Sequence, residues 1–219
     1  SHAGVLIPFD NASAPAAATP APAGPPDIRI SSIQSTRMPL LLVGDDCTIR
    51  DWRRDDKPSL LHHANNHAVW RNLTHLFPHP YTDADAERWF DFLAQQDEVT
   101  HWAIEVDTRA VGGIGMIRGE GIYALRAEIG YWLGEDYWGR GIATAALRAL
   151  VPELLRRYRL IRLEANVFAW NTASMRVLEK CGFVREAILR SAAVKDGHIT
   201  DLHVYAMLAQ HAAPSPVKS

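Results

Sequence analysis

Cysteine is almost missing: Cys47 and Cys181 are the only two in 219 residues. They are too few for a disulfide scaffold and lack the C-x-x-C spacing of a zinc or redox site, so both are expected as buried thiols. No apolar run approaches the roughly 18 residues of a membrane span, and the opening SHAGVLIPFD has no basic stretch ahead of its short apolar one. Neither a membrane partner nor a secretory leader is expected, and a cytoplasmic protein is. An excess of one charge is lacking too. With 23 Lys and Arg against 25 Asp and Glu, the net charge is -2, without the basic footprint of a nucleic-acid partner. The histidines His62, His63, His67, His75 and His79 come without H-E-x-x-H or a carboxylate pattern, so no metal is expected.

What is present divides the chain. Residues 11–26, NASAPAAATPAPAGPP, hold seven Ala and five Pro, which can neither pack a core nor sustain a helix. The chain reads as a flexible arm over 1–38, one domain over 39–210 and a loose tail over 211–219. Within the domain, CTIRDW predicts a strand, residues 57–72 a helical stretch, and Asp83 caps a helix over DADAERWFDFLAQQ. HWAIEV, AVGGIGMIR and ALRAEIGYWL alternate with period two and predict strands with antiparallel pairing. A helix from about Ile142 to Tyr158 follows. Pro152 inside it removes a backbone hydrogen bond and predicts a kink or an earlier end. The strand LIRLEANV then makes a parallel crossover unit. Asn171 starts the helix TASMRVLEKC, which Gly182 terminates, and FVREAILR with HITDLHVYAML forms a hairpin about Asp196-Gly197. The order predicts a mixed α/β sheet with helices on both faces.

The turn YWGRGIAT, residues 137–144, places two glycines and an arginine where a strand becomes a helix. The first turn of a helix leaves about four N–H groups unpartnered and carries the positive end of its dipole. Gly139 and Gly141 remove obstructing Cβ atoms and permit positive φ, and Arg140 adds a cation. The turn suits a phosphate or pyrophosphate. A glycine turn with no ligand is the plain alternative. A Walker loop is excluded for want of Gly-Lys-Ser/Thr. Gly139, Gly141 and Thr144 nearly spell G-x-G-x-x-G, but only one crossover unit follows, which argues against a dinucleotide fold.

Together, WGRGIAT and NTASMRVLEKCGF, with EIGYWL before them and FPHPYTDADAERW upstream, closely resemble the GNAT acetyltransferases, nearest the RimJ/RimL branch named for enzymes that acetylate protein N-termini. The resemblance covers about residues 40–208. It implies a mostly antiparallel sheet of six to seven strands in which EIGYWL and LIRLEANV form a splayed parallel pair whose gap takes the pantetheine arm of acetyl-CoA. It further implies that backbone at Ile129, Tyr131 and Leu133 bonds the pantetheine amides, and that Trp138, Gly139, Arg140, Gly141, Ile142, Ala143 and Thr144 hold the pyrophosphate. Asn166, Asn171 and Ser174 complete the cofactor contacts. Phe77, His79, Tyr81 and His203 are assigned to the acceptor. Trp138 stands where Gln or Arg is usual, a departure softened because the contacts there come mostly from backbone.

The implied reaction sets three tasks: deprotonating the acceptor ammonium, stabilising the oxyanion and protonating the leaving thiolate. Leu178 occupies the place of the tyrosine that many relatives use for the thiolate, and Ser174, one turn earlier, is the substitute in the RimJ/RimL branch. By the same analogy Glu128 is the candidate base. It shares a face with Gly130 and Trp132, whose bulk raises its pKa by desolvation. His203 is a second candidate. An α-amine of pKa about 8 is roughly a tenth neutral at pH 7, whereas lysine, at about 10.4, faces a penalty near 4.6 kcal/mol. This modest inventory of bases favours a protein or peptide N-terminus as acceptor. A small-molecule amine, or an idle acyl-CoA-binding module, is the alternative. The chain is expected as a monomer or homodimer.

Overall fold

The computed structural model describes residues 4–5, 41–43 and 47–209. The Ala/Pro-rich stretch 11–26 and the tail from 211 lie outside the described residues. In chain order the strands are β1 (Gly4–Val5), β2 (Leu41–Val43), β3 (Cys47–Asp51), β4 (His101–Val106), β5 (Arg109–Arg118), β6 (Arg126–Leu133), β7 (Arg162–Phe168), β8 (Val184–Lys195) and β9 (His198–Leu208). The helices are α1 (Lys57–Ala64), α2 (His67–Trp70), α3 (Asp83–Gln95), α4 (Ile142–Arg157) and α5 (Thr172–Lys180).

One sheet runs β2-β3-β4-β5-β6-β7-β9-β8, with β1 added beside β6. Seven of these strands, β3 to β9, have five or more residues. Every pairing is antiparallel except β6 with β7, which is in register for only three pairs, Arg126↔Arg162, Ala127↔Leu163 and Glu128↔Glu164. Beyond Glu128, β6 stays with β5 as far as Leu133, while β7 stays with β9 as far as Phe168. The two strands therefore fork. Gly4 and Val5 of β1 pair with Trp132 and Tyr131 on the far arm of that fork.

The sheet separates two cores. On one side α4 buries Ile142, Ala143, Ala146, Leu147, Leu150, Val151, Leu154 and Leu155, a 3–4 spacing that makes one apolar stripe. It packs with Met175 and Leu178 of α5 against Ile129, Tyr131 and Leu133. On the other side Leu60, Val69, Leu73, Tyr81 and Phe90, carried by α1 to α3 and their connections, close on Trp132. Side chains of β6 alternate between these cores, as a pleated strand requires.

Three local expectations change. The helical stretch over 57–72 is two helices, because Asn66 turns extended and its Oδ1 accepts from the N–H groups of Ala68 and Val69, capping α2 afresh. Thr82, not Asp83, caps α3: its hydroxyl accepts from Asp85 N–H while the Asp85 carboxylate accepts from Thr82 N–H, a reciprocal box. Helix α4 runs through Pro152 to Arg157. Pro152 is only half-buried, where water can take the hydrogen bond its missing N–H leaves unmade.

Candidate active site

The glycine turn is built as its composition demands. Gly139 and Gly141 adopt φ of 76° and 82°, and a Cβ on either would meet nothing within 4 Å. It is the left-handed backbone, not crowding within the chain, that requires glycine there. Gly141 is the N-cap of α4, and the first intrahelical bond runs from Ala145 N–H to Gly141 O at 3.0 Å. The N–H groups of Ile142, Ala143 and Thr144 thus precede the ladder and carry the positive end of the helix. Beside them lies a cavity of about 190 Å³ walled by the turn, by Leu133, and by Ala173, Arg176, Val177 and Lys180 of α5. Arg140 instead stacks over Tyr137, 5.1 Å from the ring centre. Arg176 and Lys180 are cations the sequence reading did not place in the site; their signal was the 3–4 spacing with Ala173 on one face of α5. Cys181 lies behind the turn, its thiol donating to Thr144 O at 3.5 Å, and burial pushes its pKa up to about 11. Cys47 is buried as expected.

Trp138 explains its own departure from the usual residue. Its indole N–H donates to Leu133 O at 2.9 Å, fastening the start of the turn to the end of β6. Half-buried, it packs against both cores.

The fork presents different chemistry on its two faces. On one, Glu128 is the last residue of β6 that pairs with β7, and Asn166 of β7 donates its side-chain amide to Glu128 Oε1 at 3.1 Å. Burial is the main cause that raises the Glu128 pKa, with the Glu164 charge adding to it and the Asn166 bond opposing. Asn166, assigned to the cofactor from the sequence, holds the candidate base in this structure. On the opposite face, Ser174 is fully buried with its Oγ 2.7 Å from the Tyr131 hydroxyl. Asn171, also buried, caps α5 by accepting from Ser174 N–H at 3.2 Å. Tyr131 is fully buried, which raises its pKa and keeps the hydroxyl protonated. The Tyr131 side chain is a neighbour of Ser174 that its sequence position, which pointed to its backbone, did not signal.

The acceptor residues divide. Phe77 and Tyr81 lie 5.1 Å apart by ring centres, and Phe77 packs edge-on against Trp132 at 5.5 Å. His79 turns away to stack on Trp70 at 5.3 Å and meet His67. His203 is paired with Val167 across the sheet, while Asn166 is paired with Val204. Since successive residues alternate in face, His203 lies on the face opposite Glu128 and Asn166, next to Tyr205, whose hydroxyl donates to Glu179 of α5. The structure does not bring His203 to the candidate base. Elsewhere, His62, His63 and Asp136 offer ligand atoms within 4.8 Å of one another.

A family profile described as the acetyltransferase (GNAT) domain matches residues 46–184, well over half of the chain. This chain belongs to the GNAT acetyltransferase family. An uncharacterized N-acetyltransferase, p20 of Bacillus licheniformis, is 35% identical over 177 residues, 76% of this chain and 95% of the relative. The ribosomal-protein-serine acetyltransferase of Escherichia coli K12 is 34% identical over 82 residues, 37% of this chain and 46% of that one. The fold matches the solved structure of RimL, a ribosomal-protein alpha-N-acetyltransferase in complex with coenzyme A, with a TM-score of 0.69 at 22% identity over 77% of this chain and 97% of that chain. The GNAT chain is an N-acetyltransferase, and its mostly antiparallel sheet with one forked parallel pair is the fold of these relatives. No helix among the described residues is long and apolar enough to cross a membrane.

Proposed function

We infer that this chain moves the acetyl group of acetyl-CoA to the α-amine of a protein or peptide N-terminus, with Glu128 and Ser174 acting from opposite walls of the fork. The observation that carries this reading is the position of Glu128, half-buried at the last parallel pair, with its carboxylate held by Asn166. The glycine turn, the first-turn N–H groups of α4 and the Arg176 and Lys180 side chains fit a pyrophosphate, and the edge of β6 beyond Glu128 fits a pantetheine arm.

Bound acetyl-CoA supplies the thioester that the amine attacks. Glu128, in its carboxylate form, takes the proton that the acceptor ammonium must lose, and its raised pKa brings it nearer to that of the amine. The Ser174 hydroxyl supplies a proton toward the sulfur, and Tyr131, protonated and 2.7 Å behind it, donates a hydrogen bond to the Ser174 oxygen and fixes the hydroxyl's direction. Asn171 holds the backbone of Ser174 in place. The similarity to ribosomal-protein acetyltransferases supports a protein acceptor, and so does the modest base, which suffices for an amine of pKa about 8.

The test compares coenzyme A release with a peptide bearing a free N-terminus and no lysine against the same peptide N-terminally blocked and carrying one lysine. The free N-terminus is expected to turn over and the blocked peptide to be inert. Equal rates on both would remove the α-amine preference.

A further inference from the structure

We propose that the aromatic cavity beside Trp132 is the specificity pocket of the acceptor, and that it selects amines carrying a neutral aromatic or bulky aliphatic side chain. The proposal rests on the acetyl-transfer reading above and narrows its substrate class.

The cavity holds about 300 Å³, the size of a site for one ring-bearing group rather than for a folded surface. Its walls include Trp52, Phe77, Tyr81, Trp89, Phe92 and Trp132, with Trp52 and Trp89 meeting edge to face at 6.2 Å. Protein interiors are close-packed, and a void of this size inside a core is a standing penalty that collapse or a larger side chain removes. This one is not sealed. Phe77, Trp89 and Phe92 are each partly exposed, so the cavity opens to solvent among side chains that a ligand would cover.

Its chemistry fixes the kind of occupant. Asp85 and Arg88 are the only charged residues in the wall, and they pair with each other. Asp85 also accepts from Thr82 N–H at 2.7 Å and from the Thr82 hydroxyl. No acidic group is left over for a cation, and Arg88 at the wall opposes one, so the rings do not form a cage for an ammonium. A neutral ring or branched aliphatic group gains the edge and face contacts that aromatic walls favour.

Position links the pocket to the reaction. Trp132 is a wall of the cavity and lies on the face of β6 that carries Glu128, with Gly130 between them presenting no side chain. Four residues of strand span about 13 Å, the reach of two to three extended residues, at about 3.5 Å each, with a large side chain at the end. An amine at Glu128 can therefore place a side chain from the first residues of a peptide against Trp132.

The experiment measures coenzyme A release with acetyl-CoA and peptides differing only in their first two residues, Ala or Ser against Phe, Trp or Leu. In parallel, tryptophan fluorescence follows titration with 2-phenylethylamine and with ethylamine. The aromatic and leucine peptides are expected to exceed the small ones at least 10-fold in kcat/KM, and 2-phenylethylamine alone to saturate the fluorescence change. Trp89→Ala should erase both differences while calorimetric binding of acetyl-CoA is retained; Phe92→Leu serves if that variant does not fold. Turnover without side-chain preference overturns the pocket and leaves the enzyme reading standing. Saturable phenylethylamine binding with no turnover on any peptide supports the pocket and counts against the proposed acceptor. No turnover and no fluorescence change overturns both.

Discussion

Glu128 is a carboxylate whose surroundings resist its charge. Burial raises its pKa, so the ionised form that the proposed reaction uses as a base is also the form that destabilises the fold. The sign follows: the folded state holds this proton more tightly than the unfolded chain, so the penalty is absent at low pH and sets in as pH rises through the raised value. Glu128→Gln is therefore expected to raise the melting temperature at neutral pH while lowering kcat/KM by about 10²- to 10⁴-fold. The acidic limb of the pH–rate profile, displaced above the ordinary glutamate range, should vanish in the same variant. Thermal melts and a pH series on one preparation check both. At Ser174, replacement by Ala should lower kcat by about 10²-fold with acetyl-CoA binding retained by calorimetry. Unchanged kcat would remove the Tyr131–Ser174 pair from the chemistry.

At the scale of elements, the turn before α4 and the cap of α5 carry the site. An alanine at Gly141 must hold positive φ, a cost of about 1–2 kcal/mol, and its methyl projects into space the pyrophosphate would use. Gly141→Ala is expected to lose roughly that much in urea unfolding and to weaken acetyl-CoA binding by more than the unfolding loss explains. Asn171→Ala removes the cap on Ser174 and should cost about 1 kcal/mol, with kcat falling alongside. These elements were legible in the sequence because their signals are local: Gly-x-Gly before an apolar stripe, Asn before a short helix, alternation in three successive strands. The misread elements were ones whose decisive residue has a second plausible role. Asn66 looked like a polar helix residue and is a cap; the box at Thr82 is closed by Asp85 where Glu or Gln is the familiar partner. The site was legible as far as backbone and motif reach. Asn166 holding Glu128, Tyr131 behind Ser174, and the closing of aromatic rings from Trp52 after β3, from α3, from β6 and from the 76–81 connection into one cavity all depend on pairing across distant segments, which no local pattern encodes. The face on which His203 lies was not legible either, because it depends on the register of β9 with β7.

For the whole molecule, the sheet keeps two chemistries apart. The face under α4 and α5 carries the glycine turn and the hydroxyl pair; the face under α1 to α3 carries Glu128 and the aromatic cavity, and the β6–β7 fork opens between them. Gly4 and Val5 bear on that place directly. A strand has only two hydrogen-bonding edges, and because β5 occupies one edge of β6 at Tyr131 and Trp132, β1 takes the other, the edge that fits the pantetheine arm. On the proposed reading, loading the enzyme is then an exchange of one strand-like partner for another. The hydrogen bonds gained replace bonds surrendered, and the observed dissociation constant is the intrinsic one divided by the fraction of molecules with the edge bare. Removal of residues 1–5 should tighten acetyl-CoA binding measured by calorimetry, whereas an identical affinity would mean that the edge is already free in solution. On the proposed reading, Gly4 and Val5 are a reversible cover over the edge that takes the acyl donor, and the protein's readiness to bind that donor depends on two residues far from Glu128 and Ser174 in sequence.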